Sequence, residues 1–310
     1  MSNTKGTSAI VAPSGGGAQS GLGEKFSPDL FTGTGNFSVP IAVPAGRNGM
    51  QPNLSLGYST GNGNGVFGMG WALGIPGITR KTSKGIPVYD DRKDVFILSG
   101  AEDLIPVKQE KETIEEEGTS VNWERTYYRP RTEGLFARIV HHKKSNGKNY
   151  WEVRSKDGLV SYYGSPDLLF SEASFVIANP ENRNAIFGWT LSKTVDPFGN
   201  EVIYLYDREL LLSDSKAQPH NSDQLYLSSI KYNQYYEEDA KKHLCEVRFE
   251  YEDRPDAFSV YRQGFEIRTT KRCKSVSTYT HADEIRKVKT YHFNYMRSEE
   301  RRVGKECRSR

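Results

Sequence analysis

A glycine pattern in this chain has the spacing of a chemical site. Gly63-x-Gly65-x-x-Gly68 matches the dinucleotide-binding fingerprint, and Asp90 follows at roughly the twenty-residue distance of the acidic residue in that fingerprint. The fingerprint requires a helix whose N-terminus faces the pyrophosphate. Residues Met69–Pro76 are rich in glycine and end in proline, so they do not predict such a helix. We expect a turn-rich hairpin here and no bound cofactor.

Histidines His141-His142 lie next to Lys143-Lys144, which suggests a metal site. Adjacent residues on a strand point to opposite faces, so the two imidazoles cannot bind one ion together. We interpret both as surface polar residues and predict no metal site. The remaining histidines are isolated along the chain and support no Ser/His/Asp nucleophile; they are His220, His243, His281 and His292.

Two of the three cysteines belong to strand-like segments. Cys245 shares a predicted strand face with Val247 and Phe249, which is typical of a small buried side chain. With Cys273 it forms no CxxC pair, so no disulfide framework is predicted. The third, Cys307, lies in the suspect C-terminal tail described below. Folding in a reducing cytoplasm is the natural expectation.

The charge balance gives no support for a nucleic-acid partner. The chain has 42 basic and 39 acidic residues; removing six and three of them with the tail leaves 36 of each. The basic patches Lys241-Lys242 and Lys271-Arg272 are short, and acidic residues lie near them. No apolar run reaches the roughly eighteen residues of a membrane helix, and mean hydropathy is −0.67.

The elements that would position these residues are short strands. Aromatic and β-branched runs alternate with Asn-Gly and Asp-Gly turn signals, which predicts a mainly β, antiparallel fold with many hairpins and little helix. The predicted strands are Phe37–Val43, Leu54–Tyr58, Thr126–Arg129, Phe136–His141, Tyr150–Arg154, Leu159–Tyr163, Ala185–Thr194, Glu201–Tyr206, Tyr226–Tyr232, Leu244–Tyr251, Phe258–Thr269, Lys274–Thr280 and Lys287–Tyr295.

Other segments predict turns, loops or short helices. Val88–Leu98 suggests a strand pair with a turn at Asp90–Asp94. The charged segment Lys108–Ser120 has few apolar residues and predicts a solvated loop. Short helical pieces are expected at Pro166–Ser171 and Tyr235–Lys242.

Both ends differ in composition from the rest. Residues 1–22 are rich in Ser and Gly and predict a flexible leader without a Sec signal peptide. The last fourteen residues, Arg297–Arg310, resemble the in-frame translation of a sequencing adapter, and we expect them to be non-native. One β domain, residues 23–296, is then expected as a fragment of a longer protein.

A long glycine-rich pattern resembles the N-terminal domain of the SpvB family, which includes a Salmonella plasmid virulence protein and the B components of insecticidal Tc toxins. The order and spacing of about twenty positions match. They are Gly33-x-Gly35-x-Phe37-Ser38-x-Pro40, Pro44-x-Gly46-Arg47-Asn48-Gly49-x-Gln51-Pro52-x-Leu54-x-Leu56-x-Tyr58 and Asn64-Gly65-x-Phe67-Gly68-x-Gly70-Trp71-x-Leu73.

Later motifs extend the resemblance to about residues 20–296 through the YD/RHS-type repeats of the same toxins. They are Trp189-x-Leu191, Asp196-Pro-Phe-Gly199-Asn200-x-Val202-x-Tyr204-x-Tyr206, Tyr226-Leu227-x-x-Ile230-x-Tyr232, Val247-x-Phe249-x-Tyr251 and Tyr261-Arg262-x-Gly264-Phe265. The resemblance implies sheet that helps form a hollow β shell around a cytotoxic effector. It implies two partners, an RHS-repeat C-type component and a pore-forming A component, and release from the bacterial cytoplasm to the extracellular region.

The residues expected to matter are structural, because the family motif carries no catalytic group. They are Gly46, Arg47, Asn48, Gly49, Pro52, Gly65, Gly68, Gly70 and Trp71. Arg47 is the one charge among them and is expected to bridge carbonyls at a turn. The family also implies an ADP-ribosyltransferase, but its Arg, Ser-Thr-Ser and Glu-x-Glu order is not found here. We therefore expect the chain not to be an enzyme. Two alternatives stay open: a secreted β module that binds host glycan or protein, and the non-catalytic N-terminal domain of such a transferase.

Overall fold

The structure is a computed structural model that describes residues 25–29, 34–99, 102–116, 118–132, 136–166, 172–213 and 219–296. The predicted leader and the predicted non-native tail lie outside these residues, as do residues 167–171 of one expected helix.

Antiparallel strands dominate the fold, which confirms the predicted class. Strands account for 64% of the described residues and helix for 2%. The two short 3-10 turns are Arg47–Gly49 and Glu172–Phe175. The strands are β1 (Lys25–Asp29), β2 (Thr34–Ile41), β3 (Leu54–Ser59), β4 (Asn64–Gly65), β5 (Gly68–Met69), β6 (Trp71–Leu73), β7 (Gly77–Arg80), β8 (Phe96–Leu98), β9 (Glu102–Glu116), β10 (Thr119–Pro130), β11 (Arg138–Lys144), β12 (Asn149–Arg154), β13 (Val160–Tyr163), β14 (Val176–Ala178), β15 (Ile186–Val195), β16 (Glu201–Leu211), β17 (Ser222–Glu237), β18 (Ala240–Val260), β19 (Ile267–His281) and β20 (Ile285–His292).

Three sheets contain these strands. A 14-stranded sheet has the order β13-β12-β11-β10-β9-β8-β7-β15-β16-β17-β18-β19-β20, with β14 paired to β15. A four-stranded sheet, β1-β2-β3-β6, and a two-stranded sheet, β4-β5, come from the glycine-rich N-terminal part. Every strand pair in the three sheets is antiparallel, as expected from the short hairpin connections.

Part of the large sheet closes on itself. β13 pairs with β15 as well as with β12, through Val160↔Val195 to Tyr163↔Leu191. The eight strands β7–β13 and β15 therefore form a closed cycle of pairings, here called the closed sheet. The strands β16–β20 extend from β15 as the open sheet. Closure pairs the backbone groups that an edge strand would leave exposed.

Aromatic side chains fill the closed sheet. The ring of Phe96 lies 4.9 Å from that of Trp151 and 5.7 Å from that of Trp189, and Tyr128 lies 4.9 Å from Trp151. These side chains are at most 4% exposed. Fully burying a large apolar side chain stabilises the fold by about 1.5–3 kcal/mol, so this cluster is a main source of the stability of the closed sheet.

The open sheet buries one face under the N-terminal sheets. Ile230, Tyr232, Val247 and Val276 are fully buried in this core. Cys245 lies in the same core as Val247 and Phe249, which confirms the predicted buried thiol, and Cys273 is also buried.

The predicted loop at Lys108–Ser120 is wrong. Most of it is strand, because β9 and β10 form a long ribbon whose register runs from Thr119↔Glu116 to Pro130↔Leu104. Gly118 turns the chain with a φ of +75°. Opposite charges face each other across the ribbon, with Arg125 2.6 Å from Glu112 and Lys111 3.1 Å from Glu124. Backbone pairing and these cross-strand contacts replace the apolar face that the sequence lacks.

The predicted helix at Tyr235–Lys242 is also wrong. β17 and β18 continue into this segment and meet in a tight turn in which Glu238 and Asp239 have φ values of 49° and 62°. Two successive positive φ angles match the twist of a two-residue hairpin turn.

Two predicted strand segments contain less strand than expected. In Val88–Leu98 only Phe96–Leu98 is a strand, because the Asp94 carboxylate accepts the N–H groups of Val88 and Tyr89 at 3.0 and 2.8 Å. Phe258–Thr269 is interrupted by a turn in which Gly264 N–H donates to Tyr261 O at 2.9 Å.

Candidate functional site

The glycine-rich segment, residues 44–73, contacts the open sheet and contains every predicted structural residue. Its first contact involves Gly46, Arg47, Asn48 and Gly49, and its second involves Gly65, Gly68, Gly70 and Trp71. Pro52 is buried between the two. The structure thus places four of the nine residues at each contact, and Pro52 lies between them.

The first contact depends on a compact turn. Asn48 and Gly49 have φ values of 51° and 75°, and Gly49 N–H donates to Gly46 O at 3.2 Å. A Cβ placed at Gly46 would lie 1.9 Å from Met50 O. Only glycine fits this close approach of two backbone segments.

Three consecutive residues of β17, Tyr232–Gln234, form hydrogen bonds with this turn. The Tyr232 hydroxyl donates to Pro44 O at 2.7 Å, and the Asn233 amide donates to Ala45 O at 3.1 Å. The Asn233 Oδ1 accepts Arg47 N–H at 2.9 Å. Asn233 therefore satisfies both a carbonyl and an N–H of the turn, as an adjacent strand would.

Arg47 contacts the next residue of β17. Its guanidinium donates to Gln234 O at 3.0 Å, a carbonyl of a strand rather than of a turn. The Gln234 side chain in turn donates to Gly199 O at 2.6 Å and accepts Glu201 N–H at 3.1 Å. The first contact is thereby connected to the Asp196–Asn200 hairpin turn between β15 and β16.

Sequence reasoning missed Asn233, which has a φ of 59° inside a strand. The pairing of β17 with β18 passes over Asn233, since Tyr232 pairs with Cys245 and Gln234 pairs with His243. Asparagine is depleted in strands but tolerates the left-handed region. The sequence signal that could have indicated this residue is an asparagine within the alternating aromatic residues of β17.

The second contact joins the β4-β5 hairpin to β18 and β19. The guanidinium of Arg254, which is 7% exposed, donates to Gly65 O and to Asn64 Oδ1, both at 3.1 Å. Cys273 N–H donates to Val66 O at 2.7 Å. The supposed nucleotide fingerprint thus forms a hairpin that contacts a sheet, where the dinucleotide site requires a helix.

Gly70 and Trp71 lie beside the second contact and pack against the N-terminal sheet itself. Gly70 has a φ of +81°, and a Cβ there would lie 2.5 Å from the Tyr58 ring. Trp71 packs its ring 5.3 Å from that of Tyr58 and 6.1 Å from that of Phe37. Glycine lets the chain turn directly against the aromatic cluster that Trp71 belongs to.

An apolar cavity of about 290 Å³ lies between the glycine-rich segment and the open sheet. The Tyr206 and Tyr251 hydroxyls donate to Leu191 O at 2.9 Å and to Leu227 O at 2.8 Å, and burial raises the pKa of both phenols. Neither phenol is therefore an acid or base near neutral pH. The lining residues are Gly65, Val66, Phe67, Trp71, Ala72, Leu73, Ile75, Tyr206, Leu225, Tyr226, Leu227 and Tyr251.

A buried ion cluster lies in the closed sheet. The Arg80 guanidinium, 3% exposed, donates to Asp91 at 2.6 Å and to Asp94 at 2.8 Å and lies over the rings of Phe96 and Trp189. Burial alone would raise the pKa of Asp91, but nearby cationic groups, including Arg80, lower it to about 2. Each charge has a partner, and the cluster holds residues 81–95 against the sheet.

The prediction that His141 and His142 are surface residues is wrong. Their side chains do point to opposite faces, but they are 2% and 6% exposed. His141 stacks on Trp151 at 4.2 Å and His142 on Tyr150 at 4.6 Å, which explains their burial. Burial lowers the pKa of His141 to about 4 and that of His142 to about 3.

Among the described residues, no three His, Cys, Asp or Glu side chains are placed to hold a metal ion. No helix in this part of the chain is long and apolar enough to span a bilayer. The geometry of the glycine-rich segment is that of a hydrogen-bonded junction between two sheets. Its chemistry is recognition of backbone by Asn233, Arg47 and Arg254.

Comparison with known families matches residues 30–252 and 233–282 to the family described as "Salmonella virulence plasmid 65kDa B protein", SpvB. The chain belongs to the SpvB family. The match includes both contacts of the glycine-rich segment and extends beyond half of the sequence, which confirms the resemblance found in the motifs.

The SpvB proteins of Salmonella typhimurium and Salmonella dublin are 29% identical to this chain over 90% of its length. Both are named mono(ADP-ribosyl)transferases, so the expectation that the protein is not an enzyme is contradicted by its relatives. The chain spans about half, 52%, of the length of these relatives. Their names describe the whole proteins, and catalytic activity is not shown for this chain.

Solved structures share the fold. The TcdB2-TccC3 crystal structure matches 95% of this chain with a TM-score of 0.77 and 26% identity, over 16% of its own length. The Photorhabdus luminescens Tc holotoxin pore matches 96% of the chain with a TM-score of 0.76, 25% identity and 16% of its own length. The N-terminal domain of SpvB from Salmonella typhimurium matches in fold, with a TM-score of 0.69, 24% identity, 83% of this chain and 99% of its own. The SpvB-family chain is therefore a toxin-related N-terminal domain.

Proposed function

We propose that this chain is the structural N-terminal portion of a Tc-type toxin B component. In this role it forms part of the wall of a β shell that encloses and helps deliver a cytotoxic effector. The observation that carries the proposal is the continuous 14-stranded antiparallel sheet, in a fold that TcdB2-TccC3 shares over 95% of the chain. A wall made of paired strands keeps its backbone groups satisfied while it surrounds a cargo.

In this role the glycine-rich segment acts as a brace. Hydrogen bonds of Arg47, Asn64 and Gly65 to β17 and β18 join residues 186 to 190 positions apart and hold the small sheets on the open sheet. Residues 23–296 then serve as one β domain. The partners are an RHS-repeat C-type component and a pore-forming A component, and the protein is made in the bacterial cytoplasm and released to the extracellular region.

A second candidate is the N-terminal part of an ADP-ribosyltransferase toxin. It is favoured by the Salmonella relatives, which match 90% of the chain under that name. The reading frame beyond Met296 discriminates the two: RHS repeats favour the shell, and a transferase domain favours this candidate.

The shell is tested by co-expressing the intact protein with a C-type component and measuring proteolysis of the effector segment. We expect a stable complex in which that segment resists protease until the complex is denatured. The matched variants are Gly70→Ala, which displaces Tyr58 beside the second contact, and Gly63→Ala, whose added Cβ meets no atom within 4 Å. Cleavage of the effector at the rate of the free C component would refute an enclosing role.

A further inference from the structure

The outer face of the closed sheet has a groove that the proposed function does not use. It has a volume of about 450 Å³ and lies where β9, β10 and β11 meet. The residues that line it are Val107, Lys108, Tyr127, Tyr128, Arg129, Phe136, Ala137, Arg138 and Ile139. We call it the cationic groove, because its described lining contains three cations and no carboxylate.

Two of these cations lack a carboxylate partner among the described residues. Within the described part of the chain, no Asp or Glu lies within salt-bridge distance of Arg129 or Arg138. Lys108 differs, since it lies 2.6 Å from Glu110. Arg138 donates to the Tyr127 hydroxyl at 3.5 Å. Guanidinium groups present paired N–H donors that match a carboxylate, so two without an acidic partner in the described part of the chain favour an acidic ligand.

Exposed apolar side chains border the same groove. Phe136 is 65% exposed and Val107 is 55% exposed. Phe136 also has a φ of 46°, a left-handed conformation that a bulky aromatic residue rarely adopts. Strained conformations of this kind cluster at sites that bind ligands, and large exposed apolar side chains anchor protein partners.

The aromatic floor of the groove argues against a sugar. The Arg138 guanidinium lies 5.3 Å from the centre of the Tyr127 ring and the Lys108 ammonium lies 5.9 Å from it. The Tyr127 hydroxyl donates to Glu110 at 2.8 Å. The ring is already engaged by cations and its hydroxyl by a carboxylate, so stacking on a sugar would have to displace them.

We propose that the cationic groove binds an acidic peptide segment of a partner protein that also carries apolar side chains. Arg129 and Arg138 bind carboxylates of the segment, and Phe136 and Val107 contact its apolar side chains. This surface is separate from the glycine-rich junction, so the proposal does not rest on the shell.

The test is binding of the full chain to arrayed twelve-residue peptides in which acidic and apolar content vary independently. We expect retention only of peptides that combine both properties. The variant Arg129→Gln/Arg138→Gln should weaken binding about tenfold or more and reduce its salt dependence. Phe136→Asn, which tolerates a positive φ, should weaken the same peptides without changing the salt dependence.

The matched control is Lys93→Gln/Lys242→Gln, which removes the same charge at exposed positions outside the groove. It should bind like the unmodified chain, and thermal melts should show all three variants folded. Equal losses in the control and the groove variant would overturn the proposal. So would retention of acidic peptides regardless of apolar content, stronger binding to heparin fragments or to anionic phospholipid vesicles, or no peptide retained.

Discussion

At the scale of single residues, Asn233 makes two hydrogen bonds to the glycine-rich segment, and the sequence motif did not reveal them. Its amide binds Ala45 O and Arg47 N–H and also lies 3.4 Å from Cys245 Sγ. Its positive φ aims the side chain at the turn. Asn233 therefore helps to fix the turn of the first contact through two of its backbone groups.

Replacing Asn233 with alanine should lower the free energy of unfolding by about 2–4 kcal/mol. The variant leaves two backbone groups unsatisfied and places a Cβ-bearing residue without a compensating bond in the left-handed region. Asn233→Gly loses the same bonds but relaxes the backbone, so it should be about 1 kcal/mol more stable than the alanine variant. Urea unfolding followed by tryptophan fluorescence measures both. An alanine variant as stable as the parent would show that Asn233 does not hold the turn.

At the scale of elements, glycine positions within one segment have unequal roles. Gly70 needs a positive φ and lies against Tyr58, whereas a Cβ added at Gly63 would meet no atom within 4 Å. Both glycines belong to the same glycine-rich run in the sequence, and only the packing around them shows that their roles differ.

We expect Gly70→Ala to destabilise the protein by at least about 2 kcal/mol, through the left-handed strain and displacement of Tyr58. Gly63→Ala should stay within about 0.5 kcal/mol of the parent. Paired denaturant titrations of the two variants test this, and hydrogen exchange at Cys273 N–H reports on the second contact. Equal stability of the two variants would contradict the assigned role of Gly70.

Hairpin positions could largely be predicted from the sequence, while the tertiary contacts of several elements could not. Turn pairs such as Asn146-Gly147 and Asp157-Gly158 carry local backbone preferences, and both lie in turns. The ribbon at Lys108–Ser120 depends on charges that face each other only once the strands pair. The burial of His141 depends on Trp151 from the next strand. The role of Asn233 depends on a turn 186 residues away. Such contacts leave little trace in local sequence.

At the scale of the whole molecule, the buried histidines make folding dependent on pH. Their pKa values are lowered from 6.5, so the neutral form is required in the folded state. Between pH 6.5 and about 4 the unfolded chain binds protons that the folded chain does not, and stability falls as pH falls. His141 alone contributes on the order of 3 kcal/mol to this loss. Asp91, with its pKa lowered to about 2, adds a further loss only below pH 4.

The variant His142→Phe should weaken this dependence, because phenylalanine keeps the stacking on Tyr150 but takes up no proton. Unfolding free energies measured at half-unit steps from pH 7.5 to 4.5 should decline less steeply for the variant. Lys93→Gln, a surface change, should follow the parent curve. Superimposable curves for the parent and His142→Phe would show that another group governs the loss.

Closure of the eight-stranded part makes the two ends of the large sheet different. Strand β13 turns back onto β15, which leaves β20 as the outer strand at the far end of the path. Its residues 285–289 are exposed. Further strands could pair with β20, whereas the strand at the opposite end of the path, β13, is already paired on both sides.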